Sequence, residues 1–119
     1  MEFRKAAPAL IWTLIVGVLT LLPGRDLPEV RIVNFDKVAH LGVFALLEWL
    51  YLNWLSIATD RFKRGILITL CCIAYGGAIE VLQGTFYTDR YADVWDFVFN
   101  TLGCCLGVFV FSRTCKRAL

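Results

Sequence analysis

The stretch Arg90-Tyr91-Ala92-Asp93-Val94-Trp95-Asp96-Phe97-Val98-Phe99-Asn100-Thr101-Leu102-Gly103-Cys104-Cys105-Leu106-Gly107 decides the fold. It is oily enough to lie in a membrane, yet Asp93, Asp96 and Asn100 interrupt it. At 100° per residue these three fall with Gly103 and Gly107 inside about 80° of helical arc. Trp95, Phe99, Leu102, Leu106 and Phe109 cover the opposite side. The pattern predicts a membrane helix whose polar-and-small face meets other helices and whose bulky face meets lipid. Gly103-x-x-x-Gly107 permits close backbone approach in the inner half.

Working outward, three more apolar stretches precede this one. Their expected bounds are residues 8–22, 36–57 and 65–85, with the fourth at 91–112. The last three are each about 20 residues, or ~30 Å as helix, which matches a hydrocarbon core; the first is short and needs its flanks or a thinned bilayer. Strands do not fit, because the stretches are too long and do not alternate. Pro8 suits a first helical turn and Pro23 stops the helix. Residues 1–22 resemble a signal peptide, but Pro23-Gly24-Arg25 is a poor cleavage site, so an uncleaved first span is expected. The chain of 119 residues is 59% hydrophobic with only 18% charged residues, which places it outside the soluble class and limits it to one domain, residues 1–119. Its net charge of +2 comes from scattered basic residues, so nucleic-acid binding is not expected.

Lys and Arg in the flanks set the orientation. Arg4, Lys5, Arg61, Lys63, Arg64, Arg113, Lys116 and Arg117 fall on one side; Arg25, Arg31, Lys37 and Arg90 fall on the other. The richer side is expected to be cytoplasmic, with both termini inside. Trp54 and Tyr91 are expected near interfaces. The spacing of Cys71, Cys72, Cys104, Cys105 and Cys115 is not that of a zinc site, and small packing residues are expected. Cys115, beside a membrane end, is a weak lipidation candidate.

The polar residues of three spans share one depth. On the third span Thr69, Cys72, Gly76, Glu80 and Gln83 form one narrow face. A short connection makes spans three and four antiparallel neighbours, so Glu80 and Gln83 are expected to approach Asp93, Asp96 and Asn100. Arg90 lies in that connection. On the second span Asp36 and His40 stand one turn apart, at the same outer end. Singly, many of these have ordinary explanations. Asp36 and Asp89 can cap helices, Asp93 can complement a helix dipole, and Gln83 and Asn100 can join helices. Glu80 and Asp96, expected one to two turns inside, need partners or a proton. Glu48 is deeper still and off the His40 face; it is read as protonated or as an oligomer contact.

These residues resemble the signature of the VanZ-like membrane protein family. The matching pieces are Leu22-Pro23-Gly24, Asp36-Lys37-Val38-Ala39-His40, Gly77-x-x-Glu80-x-x-Gln83 and Arg90-x-x-Asp93-x-x-Asp96-x-x-x-Asn100-x-x-Gly103-x-x-x-Gly107. They run in order through nearly the whole chain; Glu48 is not part of the pattern. The resemblance implies a small multi-pass protein of the bacterial cytoplasmic membrane. The family's namesake is linked to low-level teicoplanin resistance, but the shared residues define a site and not a drug phenotype.

Two functions compete. In the first, an enzyme acts from the outer leaflet on a lipid-linked or envelope substrate. His40, Glu80 and Asp96 are its candidate catalytic residues, with His40 as base or orienter and the acids as acid/base groups or cation ligands. Asp36, Gln83, Arg90, Asp93 and Asn100 are candidate substrate contacts, Arg90 suiting a phosphate or carboxylate. There is no hydrolase nucleophile motif, P-loop or metalloprotease motif, so the reaction class stays open. In the second, a non-catalytic accessory protein uses the same cluster as a structural network or a pocket for a head group or partner. A third reading, an ion or proton path through Glu48, requires an oligomer. A divalent cation is a further option: the acids suit Mg²⁺ or Ca²⁺, and His40 brings in Zn²⁺. Arg90 and Lys37 are the alternative means of balancing the acids.

Overall fold

The structure is a computed structural model that describes residues 3–21, 35–55, 61–86 and 94–114. These are four helices: α1 (Phe3–Leu21), α2 (Phe35–Leu55), α3 (Arg61–Phe86) and α4 (Val94–Thr114). Each is long and apolar enough to cross a membrane, so the chain is an all-α membrane bundle, as its apolar stretches predict. Two helices extend past the hydrocarbon-length stretches. α1 starts at Phe3, which puts Pro8 inside the helix rather than in its first turn. So close to the start, the missing N–H removes a single backbone bond. α3 starts at Arg61, before residue 65, because long basic side chains can continue a helix while their charges reach water.

Consecutive helices run antiparallel. Arg64 Nη1 reaches the Leu55 carbonyl at 3.4 Å where α3 begins and α2 ends, and Trp49 Nε1 donates to Thr114 Oγ1 at 3.3 Å near the end of α4. The starts of α1 and α3 and the ends of α2 and α4 thus share one basic end. Trp54 lies in the last turn of α2 at that end, its ring tilted against that of Tyr51 with centroids 5.9 Å apart.

The most extensive packing joins α2 to α4, not α3 to α4. The short connection does make α3 and α4 neighbours, but the small-residue face of α4 turns to α2. A Cβ on Gly103 would collide with the Leu41 carbonyl oxygen, and one on Gly107 would stand 2.5 Å from the Ala45 carbonyl oxygen. Lipid tails are as apolar as leucine, so close backbone approach supplies the packing that a hydrophobic driving force supplies in water. Opposite this seam, Trp95, Leu102, Leu106 and Phe109 are exposed, as expected for a lipid face. Phe44, Leu47, Val16 and Cys104 are fully buried between the helices.

The cysteines divide. Cys72 and Cys104 are buried packing residues, whereas Cys71 and Cys105 face outward; Cys115 lies outside the described residues.

Polar groups also tie helix α1 to its neighbours. Trp12 Nε1 donates to the Val43 carbonyl at 3.1 Å, and Tyr75 Oη donates to the Thr13 carbonyl at 2.9 Å. Thr13 Oγ1 donates to the Ala9 carbonyl at 2.8 Å, so in its 2.7 Å contact with Tyr51 the phenol donates. Beside these groups an apolar cavity of about 350 Å³ opens between α1, α2 and α3, lined by Leu47, Leu55 and Ile68 among others. It lies toward the basic end, and none of His40, Glu80 or Asp96 lines it.

Candidate functional site

The other end of the bundle collects the ionisable side chains. On α2, Lys37 and His40 are one turn apart near the helix start; on α4, Asp96 and Asn100 are one turn apart; on α3, Glu80 lies under two turns from the helix end. Asp96 sits in the first turn of α4, shallower than its sequence position promised. There the free N–H groups of the helix start favour its negative charge.

His40 is the centre of the group. Its Nδ1 lies 2.7 Å from Asn100 Oδ1. An amide oxygen only accepts, so Nδ1 is the donor in this contact, and Nε2 is the ring nitrogen that faces Asp96. Asn100 is 0% exposed, which leaves its oxygen dedicated to the ring. Nε2 stands 3.7 Å from Asp96 Oδ2, beyond hydrogen-bond length. The other oxygen of Asp96 accepts from Lys37 Nζ in an ion pair across the α2–α4 seam. Glu80, 5% exposed, completes the cluster: one donor atom from each of His40, Glu80 and Asp96 lies within 4.8 Å of the others. The three expected catalytic residues therefore meet at one depth, with Asn100 behind the ring.

The remaining candidates divide. Gln83 is buried on the same stripe as Glu80, but its amide nitrogen donates to the Thr20 carbonyl of α1. It ties down the end of the first helix, which the stripes of the other three had left out. Gln83→Ala is expected to lower stability in detergent by about 1 kcal/mol. Faster hydrogen exchange confined to the last turn of α1 would check it; unchanged exchange there would refute the tie. Arg90 and Asp93 lie outside the described residues, as does the side chain of Asp36.

Glu48 departs from one of the two expectations made for it. It is 0% exposed inside a single chain, so it is not an oligomer contact. Thr69 Oγ1 lies 2.7 Å from Glu48 Oε1, and the thiols of Cys72 and Cys104 flank the carboxyl. Thr69 was visible on the Glu80 stripe, but nothing in its own helix announced a partner on α2. Lys37 was likewise legible only as a balancing charge, since its pairing with Asp96 crosses two helices distant in sequence.

The arrangement offers a tautomer-fixed imidazole, two carboxylates and an ammonium just beneath one end of a membrane bundle. It can take a proton at Nε2, hold a cation between the three donors, or present Lys37 to an anion. An uncharacterized protein of Schizosaccharomyces pombe is 34% identical over 84 residues, covering 71% of this chain. The match covers 51% of that protein, so the chain spans about half the length of the curated relative it matches. No solved structure matches the chain. The VanZ/LLP1 family profile matches residues 4–116. With four helices long and apolar enough to cross a membrane, three of them carrying polar stripes, the chain belongs to the VanZ/LLP1 family.

Proposed function

We propose that the cluster is a head-group site of a multi-pass membrane protein, open to the non-cytoplasmic side, where His40 acts as base on a lipid-linked or envelope substrate. The observation that carries this reading is the 2.7 Å contact of His40 Nδ1 with Asn100 Oδ1. It occupies Nδ1 and turns Nε2 toward Asp96, with Glu80 in the same group, so Nε2 is the ring atom placed to act as the base. Lys37, with Arg90 in the adjoining connection, supplies positive charge for a phosphate or carboxylate. Hydrolysis or transfer at the head group is the reaction class that this set of groups serves.

The orientation rests on the basic residues at the other end, Arg4, Lys5, Lys63, Arg64 and Arg113 among the described ones. In a bacterial cytoplasmic membrane the site would then face the envelope. A similar protein occurs in a yeast, so the chemistry of the head group matters more to this reading than a bacterial envelope does.

The test is turnover in nanodiscs, with phospholipids and lipid-linked sugar phosphates as substrates and released head group measured by mass spectrometry. His40→Ala and Glu80→Gln are expected to abolish release while the variants stay folded and monodisperse. Full activity in both would overturn the reading. A second reading has its own observation: Lys37–Asp96 and His40–Asn100 both bridge α2 and α4. If the cluster is only a structural network, the same substitutions lower the melting midpoint and no substrate is consumed.

A further inference from the structure

We propose that His40 Nε2, Glu80 and Asp96 Oδ2 form a binding site for a divalent cation of the zinc or manganese type, a deepening that rests on the head-group reading of the same cluster. One imidazole nitrogen with two carboxylate oxygens is a borderline donor set. It suits Zn²⁺ or Mn²⁺ better than Mg²⁺ or Ca²⁺, which take oxygen alone.

The distances favour ligands of one ion over a hydrogen-bonded group. Nε2 and Asp96 Oδ2 are 3.7 Å apart. That is too long for a hydrogen bond, but two donors bound at about 2.1 Å to one ion stand roughly 3 to 4.2 Å apart. One donor atom from each of the three residues lies within 4.8 Å of the others, so closing on an ion takes a shift of about 1 Å or less, within the reach of side-chain torsions.

A second observation is the shell behind the donors. Metal-bound histidines commonly give their other ring N–H to a carbonyl or carboxylate, which fixes the ring and its tautomer. Asn100, 0% exposed, does this for His40 at 2.7 Å. Lys37 holds the far oxygen of Asp96, so the near one is left for single-oxygen ligation. All the groups are largely removed from water: side-chain exposures are 17% for Lys37, 14% for Asp96 and 18% for His40.

Charge gives the site a purpose. Two carboxylates stand where an anionic head group would approach. A divalent cation held between them becomes the largest local charge. It adds to the pull that Lys37 exerts on an anionic head group.

The test is calorimetry on the full chain in nanodiscs of zwitterionic lipid, stripped with a chelator and titrated separately with Zn²⁺, Mn²⁺, Mg²⁺ and Ca²⁺. One Zn²⁺ or Mn²⁺ per chain is expected, with a raised melting midpoint. His40→Ala and Asp96→Asn should each weaken binding at least tenfold, and Mn²⁺ should show nitrogen coupling by electron-spin-echo spectroscopy that His40→Ala removes. If a variant fails to fold, the nitrogen signal of the unmodified chain decides. Absence of stoichiometric binding, a preference for Mg²⁺ or Ca²⁺, or tight binding that survives both substitutions would overturn the site. Because binding is read without substrate, its failure is distinct from a failure of turnover.

Discussion

Gly103→Leu is expected to yield no monodisperse bundle in detergent, the largest effect of any single substitution on the α2–α4 seam. An added Cβ meets backbone: the Leu41 carbonyl oxygen lies inside any permitted contact, with the carbonyl carbon and Phe44 Cβ both at 3.1 Å. Backbone atoms cannot rotate aside, so the helices must separate. Separation also pulls apart His40–Asn100 and Lys37–Asp96, which cross the same seam. The milder Gly103→Ala should cost about 1–3 kcal/mol, the usual range for overpacking. Gly42 and Gly65 have open space where a Cβ would go, so alanine at either should be neutral or slightly stabilising. Equal melting midpoints for Gly103→Ala and Gly42→Ala would refute the seam.

Glu48→Ala is expected to destabilise the bundle by about 2–4 kcal/mol, through a cavity and a lost side-chain hydrogen bond, whereas Glu48→Gln should be nearly silent. Thr69 has one hydroxyl proton but two oxygens in reach, Glu48 Oε1 at 2.7 Å and the Gly65 carbonyl at 2.9 Å. If Thr69 bonds back to Gly65, as threonines in helices do, Glu48 must supply the proton between the two side chains. A neutral carboxyl does so and avoids the cost of a charge in hydrocarbon. Glutamine replaces the O–H donor with N–H at almost the same shape. Thermal melts of the two variants separate the cases: a glutamine variant as weak as alanine would mean that the negative charge itself is needed. With 0% exposure, Glu48 has no contact with water from which to relay ions. Unaltered proton flux in liposomes on substituting it would agree.

Helical period alone brought His40, Glu80 and Asp96 to one depth, because that inference needs only the face, the direction and the length of each span. What it could not supply was the neighbour each face meets. Gly103 and Gly107 announce close approach, but 100° per residue does not say whether α2 or α3 approaches. The short connection pointed to α3, and the backbone of α2 fills the space instead. Gln83 shares the stripe of Glu80, yet its bond is to Thr20, a residue no motif flagged. The surroundings of Glu48 were not legible because its partners, Thr69 and the two buried cysteines, are apolar-tolerant residues that carry no signal one at a time.

That α2 packs chiefly on α4, and not on its neighbour in the chain, bears on biogenesis. At ribosomal speeds of about 5–20 residues per second, the segment from Leu55 to Thr114 takes roughly 3 to 12 s to emerge. Throughout that interval α2 stands in the bilayer with Lys37, His40 and Glu48 lacking the groove that shelters them. The half-made protein therefore offers insertion chaperones and membrane proteases an ionisable flank, which vanishes only when the last helix arrives.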